Sequence, residues 1–227
     1  MRRAALALAA VLTSACVSSS SSEPDIPYAD APGSEYAPLR SPWPSPRGVA
    51  PTPVEISGGP VCGDRRIIGK RIATIEGPGA CGVAAPVRVT SVAGVALTAP
   101  IRIGCEAAIA LAEWTEDSAI PAASGASLAS MRPVASYACR NRNHQRGARL
   151  SEHAKGNAVD IASFTFSDGR SISVLEGWRG EGRDYLRRVH REACGTFGTV
   201  LGPDSDRYHK DHFHLDVARH GNGPYCR

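Results

Sequence analysis

Ser151-Glu152-His153-Ala154-Lys155-Gly156-Asn157-Ala158-Val159-Asp160, continued by Ile161-Ala162-Ser163-Phe164-Thr165-Phe166, decides the fold class. Its second half is apolar, β-branched and aromatic, and predicts a strand over 158–166. Side chains alternate along a strand, so Ala158 and Asp160 share one face while Val159 and Ile161 share the other. Gly156 and Ala158 are small enough to let the backbone pass close to a ligand or a neighbouring strand. The same alternation returns near the C-terminus in His212-Phe213-His214-Leu215-Asp216, within a short strand predicted over 212–218. There Phe213 and Leu215 point to the core, and His212, His214 and Asp216 face the other way.

Outward from these two segments, strands are predicted over 66–75, 86–92, 95–99, 134–139 and 172–178, with turns at Glu76-Gly77-Pro78-Gly79, Gly94 and Ser167-Asp168-Gly169. Ala107, Ala108, Leu111 and Ala112 recur at helical spacing and predict a helix over 103–114. A second helix over 184–194 carries Leu186, Val189 and Ala193 on one face and stops at Gly195. The stretch 124–130 is Gly/Ser-rich and reads as a loop, and 140–149 as an arginine-rich one. Helices and short strands separated by turns predict one α+β domain: a small, mainly antiparallel sheet flanked by helices. No internal repeat is present.

The chain has 227 residues, and its first stretch stands apart from this domain. Met1-Arg2-Arg3 is a positive head, Ala4 to Leu12 an apolar run, and Thr13-Ser14-Ala15-Cys16 a small-residue junction: a signal peptide over 1–15. Cys16 stands where a bacterial lipoprotein signal places its acylated cysteine, although Thr13 occupies the position where leucine is usual. The alternative is ordinary cleavage near Ala15, which releases a soluble secreted protein. Residues 16–51 are rich in Ser, Pro and acids without apolar periodicity, the composition of a flexible tether. The domain then spans 52–227, and no apolar run in it approaches the ~20 residues of a membrane span.

The formal charge of +4 includes Arg2 and Arg3, so removal of the signal leaves 4 − 2 = +2. Arginine patches are interspersed with acids and accompany no nucleic-acid motif, so a nucleic-acid partner is set aside. Of seven cysteines, six follow Cys16: Cys62, Cys81, Cys105, Cys139, Cys194 and Cys226. An even set in an exported chain predicts three disulfides. Near neighbours in the chain suggest Cys62–Cys81, Cys105–Cys139 and Cys194–Cys226. A cysteine zinc cluster lacks any Cys-x-x-Cys pair.

Three of the seven histidines fall within six positions, His209, His212 and His214, and His153 stands seven residues before Asp160. Zinc takes neutral imidazole nitrogens and carboxylate oxygens in a tetrahedron, and a catalytic site keeps one position open for water. Two histidines and one aspartate would leave residual positive charge at such an ion. A lone His-x-His on a strand is more often just a polar face. The coincidence with His153 and Asp160 in a cysteine-rich exported chain is what points to a mononuclear metal site. His190 reads as a solvated helix face, His144 and His220 as loop residues, and Trp114 and Trp178 as core. Ser151 and Asp216 are candidates to orient a metal ligand.

Ser151-x-His153-x-x-Gly156-x-Ala158-x-Asp160 followed by His212-x-His214 resembles the LAS group of zinc metallopeptidases. That group takes in lysostaphin-type endopeptidases, D-alanyl-D-alanine carboxypeptidases and hedgehog-type domains. The spacing His209-x-x-His212-x-His214 is similar to that of the penicillin-insensitive murein endopeptidase. Ser136-Tyr137-Ala138-Cys139-Arg140, Arg149-Leu150-Ser151-Glu152-His153 and Phe197-Gly198-Thr199-Val200-Leu201-Gly202-Pro203 resemble the bacterial extensin-like C-terminal domain family, over roughly 61–227. The resemblance implies a LAS- or hedgehog-type peptidase-like fold with one zinc ion on His153, Asp160 and His214. It implies His212, with His209, as the proton-transferring or intermediate-stabilising groups. Arg140 becomes the oxyanion-stabilising arginine with Arg142 in reserve, on a loop stiffened at Cys139. Some relatives carry a glutamate base; this chain has none there, and Asp211 is the one nearby carboxylate.

These implications describe a periplasmic zinc peptidase, tethered to the outer membrane through a lipid on Cys16 and acting on peptidoglycan peptides. The alternative from another class is a non-catalytic, zinc-containing cell-wall-binding module. A third is a disulfide-rich structural protein with a fortuitous histidine cluster.

Overall fold

The computed structural model describes residues 56–227. The expected signal peptide over 1–15, acylated Cys16 and tether over 16–51 lie outside the described residues. Strands β1 (Gly59–Val61), β2 (Asp64–Arg71), β3 (Ile75–Glu76), β4 (Gly82–Val83), β5 (Val87–Val92) and β6 (Val95–Ile103) come first. They lead into α1 (Cys105–Trp114), a π-helical turn over Thr115–Ala119 and the single turn α2 (Ile120–Ala122). Then follow β7 (Leu128–Ala135), β8 (Ala158–Phe166), β9 (Ser171–Ser173), α3 (Val174–Gly177), α4 (Arg183–Ala193), β10 (Thr199–Leu201), β11 (Phe213–Asp216) and β12 (Tyr225–Cys226).

Ten of these strands form one sheet in the order β1-β2-β5-β6-β7-β8-β11-β10-β12, with β9 also on β8, and β3 and β4 pair separately. The expected small, mainly antiparallel sheet flanked by helices is therefore corrected. The sheet is large and mixed and dominates the domain, and the helices are few and short. Two causes are visible. The 124–130 stretch taken for a loop enters β7 at Leu128, and the three residues of β10 and two of β12 are too short to show periodicity. The sheet is mixed because α1 carries the chain from the end of β6 back to where β6 began, so β7 runs parallel to β6.

Other boundaries moved for local reasons. Strand β6 runs through Ile103, so the helix predicted from 103 begins at Cys105. The strand predicted over 172–178 gives way to α3, because Ser173 Oγ accepts from the Glu176 N–H at 3.2 Å and caps a helical turn instead. Strand 134–139 is displaced, since β7 ends at Ala135.

Helices α1 and α4 cover one face of the sheet. Leu111, Trp114, Leu186 and Val189 pack there with Val159, Ile161, Phe164, Phe213 and Leu215, all fully buried. The Trp114 indole N–H donates to the Val189 carbonyl at 2.9 Å and joins the two helices. Strand β8 keeps this contact by an irregularity. Arg132 pairs with Ser163 and the adjacent Pro133 with Ile161, so Ala162 is an extra residue. The bulge shifts the alternation, and Val159, Ile161, Phe164 and Phe166 all reach the same core. Asp160 is left on the opposite face.

The disulfides are Cys62–Cys105, Cys81–Cys139 and Cys194–Cys226. The last forms as expected. The pairings Cys62–Cys81 and Cys105–Cys139 are corrected, because bridges follow proximity in space rather than in the chain. The β1–β2 turn puts Cys62 beside the first turn of α1, with Cα atoms 5.3 Å apart. Among the described residues no helix is long and apolar enough to cross a membrane.

Candidate metal centre

Antiparallel pairing of β8 with β11 sets His214 directly opposite Asp160, Leu215 opposite Val159 and Asp216 opposite Ala158. Phe213 and Leu215 enter the core while His214 and Asp160 face each other on the other side of the sheet. Their burial, 9% and 4% exposed, shows that this second face is closed off as well. What closes it is the segment 136–156, which brings in His153.

His153 lies in a 3₁₀ turn over Glu152–Lys155, N-capped by Ser151, whose Oγ accepts from the His153 backbone N–H at 3.4 Å. Gly156 ends the turn at φ 69°, where a side chain would be strained. A Cβ there would also lie 2.6 Å from Val83 Cγ2. Beneath it the Gly104 N–H donates to the Gly156 carbonyl at 2.8 Å, tying the turn to the start of α1. Glu152 is buried with Lys155 and Asn157 on its two oxygens, at 3.0 and 2.8 Å.

Three atoms converge. His153 Nε2 is 3.1 Å from Asp160 Oδ1 and 3.1 Å from His214 Nδ1, which is itself 3.0 Å from Asp160 Oδ1. The outer nitrogens of both rings decide what the inner ones offer. His153 Nδ1 lies 2.7 Å from the Ser136 carbonyl, which only accepts, so Nδ1 carries a hydrogen. His214 Nε2 donates likewise to Asp216 Oδ2 at 2.8 Å. A neutral His153 or His214 therefore turns a lone pair toward the centre. Two such lone pairs and a carboxylate oxygen, all within about 3 Å, repel one another unless a cation or added protons lie between them.

This donor set fits a zinc ion. Ligand distances of 2.0–2.1 Å in a tetrahedron put donor atoms about 3.3 Å apart, close to the triangle observed. Both imidazoles are anchored through their second nitrogen, as metal-binding histidines are. Without an ion, protons take the strain. Burial would lower the His214 imidazole, but hydrogen bonds to Asp160 and Asp216 outweigh it and raise it to about 9. Burial would raise the Asp160 carboxyl, yet the charge and hydrogen bonds of His153 and His214 hold it well below the usual carboxylate range.

Two further imidazoles flank the triangle, each on a carboxylate. His212 Nδ1 is 2.8 Å from Asp211 Oδ1, and its Nε2 lies 3.6 Å from Asp160 Oδ2. His209 Nδ1 is 2.7 Å from Asp206 Oδ1, with its ring centroid 5.7 Å from that of His214 and 5.3 Å from that of His212. Burial pushes the His209 imidazole down, and Asp206 offsets part of this.

Other candidates lie elsewhere. Arg140 offers its backbone carbonyl to the Ser151 N–H at 3.0 Å, and among the described residues its guanidinium bonds to none of the triad. Arg142 is exposed on the loop beyond. Ser151 acts on the His153 backbone rather than on its ring. His190, read as a solvated face, instead packs between Trp178 and Phe213, with centroids 5.3 and 5.1 Å away. Its neighbours along α4 are arginines, but the ring turns toward the core side of the helix. Trp114 and Trp178 are core residues. Sequence reasoning missed the Ser136 carbonyl and Asp206. A backbone carbonyl has no residue-type signal, while Asp206 sat three residues before His209 in plain view.

The family model described as Extensin-like protein C-terminus matches residues 64–227 of this chain. No curated protein and no solved structure matches it.

Proposed function

The chain belongs to the extensin-like C-terminal family, and from that premise we propose that it is a zinc-dependent peptidase of the bacterial envelope. Its substrates in this reading are the peptide stems or cross-links of peptidoglycan. The observation that carries it is the convergence of two imidazole nitrogens and one carboxylate oxygen at 3.0–3.1 Å, with both outer ring nitrogens already hydrogen-bonded. The LAS-like motif order, the signal-like sequence over 1–15 and the three disulfides agree with it. Export to the periplasm on a lipid at Cys16 would put the domain within a tether's reach of the wall.

His153, Asp160 and His214 would hold the ion. Bound zinc supplies Lewis acidity, polarising a scissile carbonyl and making water more acidic. His212 does the proton work. Its Nδ1–H is committed to Asp211, so Nε2 keeps a lone pair on the side of Asp160, where it can accept a proton from water and pass it to a leaving amine. Asp211 fixes that tautomer and stabilises the imidazolium formed. His209, held the same way by Asp206, borders the same space. In this reading two imidazole–carboxylate pairs stand in for the glutamate base that some relatives carry at that point.

The test is to purify the full chain, measure bound metal, and incubate it with muropeptides with and without a chelator while following product masses. Near one equivalent of zinc with chelator-sensitive cleavage is expected. Zinc without cleavage would transfer the domain to the cell-wall-binding reading, and absence of stoichiometric metal would sink both.

A further inference from the structure

Between Pro133 and Ser151 the chain contains no acidic residue, yet it carries Arg140, Arg142, Arg146 and Arg149. Like charges this close repel, and surfaces ordinarily relieve that with interspersed acids. Arg66, Arg170 and Arg187 each sit on a carboxylate at 2.6–2.7 Å. Among the described residues no carboxylate lies within ion-pair distance of the four loop arginines, and Arg142, Arg146 and Arg149 are exposed.

The loop that bears them is held at both ends. At its base the Arg142 N–H donates to the Arg149 carbonyl at 2.9 Å, and Asn141 bridges to Leu150. Its tip turns through Asn143 and His144, both left-handed at φ 55° and 56°. Two consecutive non-glycine residues there store strain that only a defined conformation sustains. Gln145 Nε2 then donates to the Tyr208 hydroxyl at 2.9 Å, beside His209. The base meanwhile continues into Ser136 and Ala138, which bond the ring and the backbone carbonyl of His153. The loop thus links the segment that positions His153 to the segment that carries His209, along one side of the triangle.

We propose that the 140–149 loop is a receptor for substrate carboxylates, with Arg142, Arg146 and Arg149 gripping an acidic peptide at the edge of the metal centre. This rests on the peptidase reading above and adds the charge of the substrate. A guanidinium fork matches a planar carboxylate in two parallel hydrogen bonds. Peptide stems with free side-chain and terminal carboxylates present several of these along an extended chain, as the three arginines are spread along the loop. No ring of backbone N–H groups of the kind that cradles a phosphate is needed for this recognition.

The test measures binding of the full chain to the tripeptide L-Ala-γ-D-Glu-diaminopimelate, and to the same peptide with its carboxylates converted to amides. A preference of about tenfold for the acidic form is expected, as three exposed charge contacts of modest individual worth combine. It should shrink as salt rises from low to physiological strength and above. In R142Q/R146Q/R149Q the preference should fall to near unity with metal content and Tm unchanged, while R65Q/R71Q on β2 keeps it. Equal binding of the two peptides, or a preference that survives the triple substitution, overturns the proposal. So does a loop-dependent preference for inorganic polyphosphate or lipopolysaccharide over the acidic peptide. Cleavage that proceeds equally on acidic and amidated peptides leaves the peptidase standing and removes the receptor. A loop-dependent preference without any cleavage does the reverse.

Discussion

Asp216 is buried and lies outside the centre of the cluster, yet it decides what His214 presents there. By accepting from Nε2 it leaves the lone pair of the neutral imidazole on Nδ1, and its other oxygen is held by the Ala218 N–H at 2.9 Å. Asp216→Asn keeps the shape and removes the charge. It should weaken zinc affinity about 10- to 100-fold, read by competition with a chromophoric chelator. An unchanged affinity would mean that another group fixes the ring. His212→Ala makes the complementary prediction. Turnover should fall by about 10²- to 10⁴-fold, the usual worth of a proton-transfer group, with metal content intact. Loss of the metal in that variant would move His212 into the ligand set. At this scale residue identity was legible in the sequence, since only His, Asp, Glu and Cys offer such donors. The tautomers were not. They depend on the Ser136 carbonyl, 17 residues from His153 and indistinguishable from any other carbonyl in sequence.

Strands β8 and β11 turn two candidate ligands, Asp160 and His214, toward each other because their register is set by the core they share. Shifting that register by one residue would bury Asp160 among aromatics and turn Val159 toward His153. The third candidate ligand, His153, depends on a turn rather than a strand, and there Gly156 is the sensitive point. Gly156→Ala should destabilise the domain by about 1–3 kcal/mol in urea unfolding, from a left-handed backbone and a methyl group driven into Val83. Adding Val83→Ala should return only part of this, because it relieves the contact and not the backbone. Full recovery would show that contact alone made the glycine necessary. Long alternating segments such as β8 were legible from sequence, and so was α4, observed at Arg183–Ala193 against an expected 184–194. The bulge at Ala162 was not, since an extra residue leaves no mark until a partner strand fixes the pairing.

Across the whole molecule, the Cys81–Cys139 bridge closes a separation of 58 residues and anchors the start of the segment that packs His153 over the sheet. Replacing both with serine should cost roughly 4 kcal/mol by loop-closure entropy, lowering Tm and loosening zinc binding together. The same replacement at Cys194–Cys226 opens a shorter separation of 32, at the far end of the sheet. It should lower Tm while sparing metal affinity. Sequence alone determined the donor types, their order along the chain, the two principal helices and the alternation that sends Phe213 and Leu215 inward. These depend on residue chemistry and on periods of a few residues. Tertiary structure decided the ten-stranded mixed sheet, two of the three disulfides, the convergence of three donors to about 3 Å and the neighbours that fix their lone pairs. Those depend on hydrogen bonds and contacts between residues far apart in the chain, which no local period encodes.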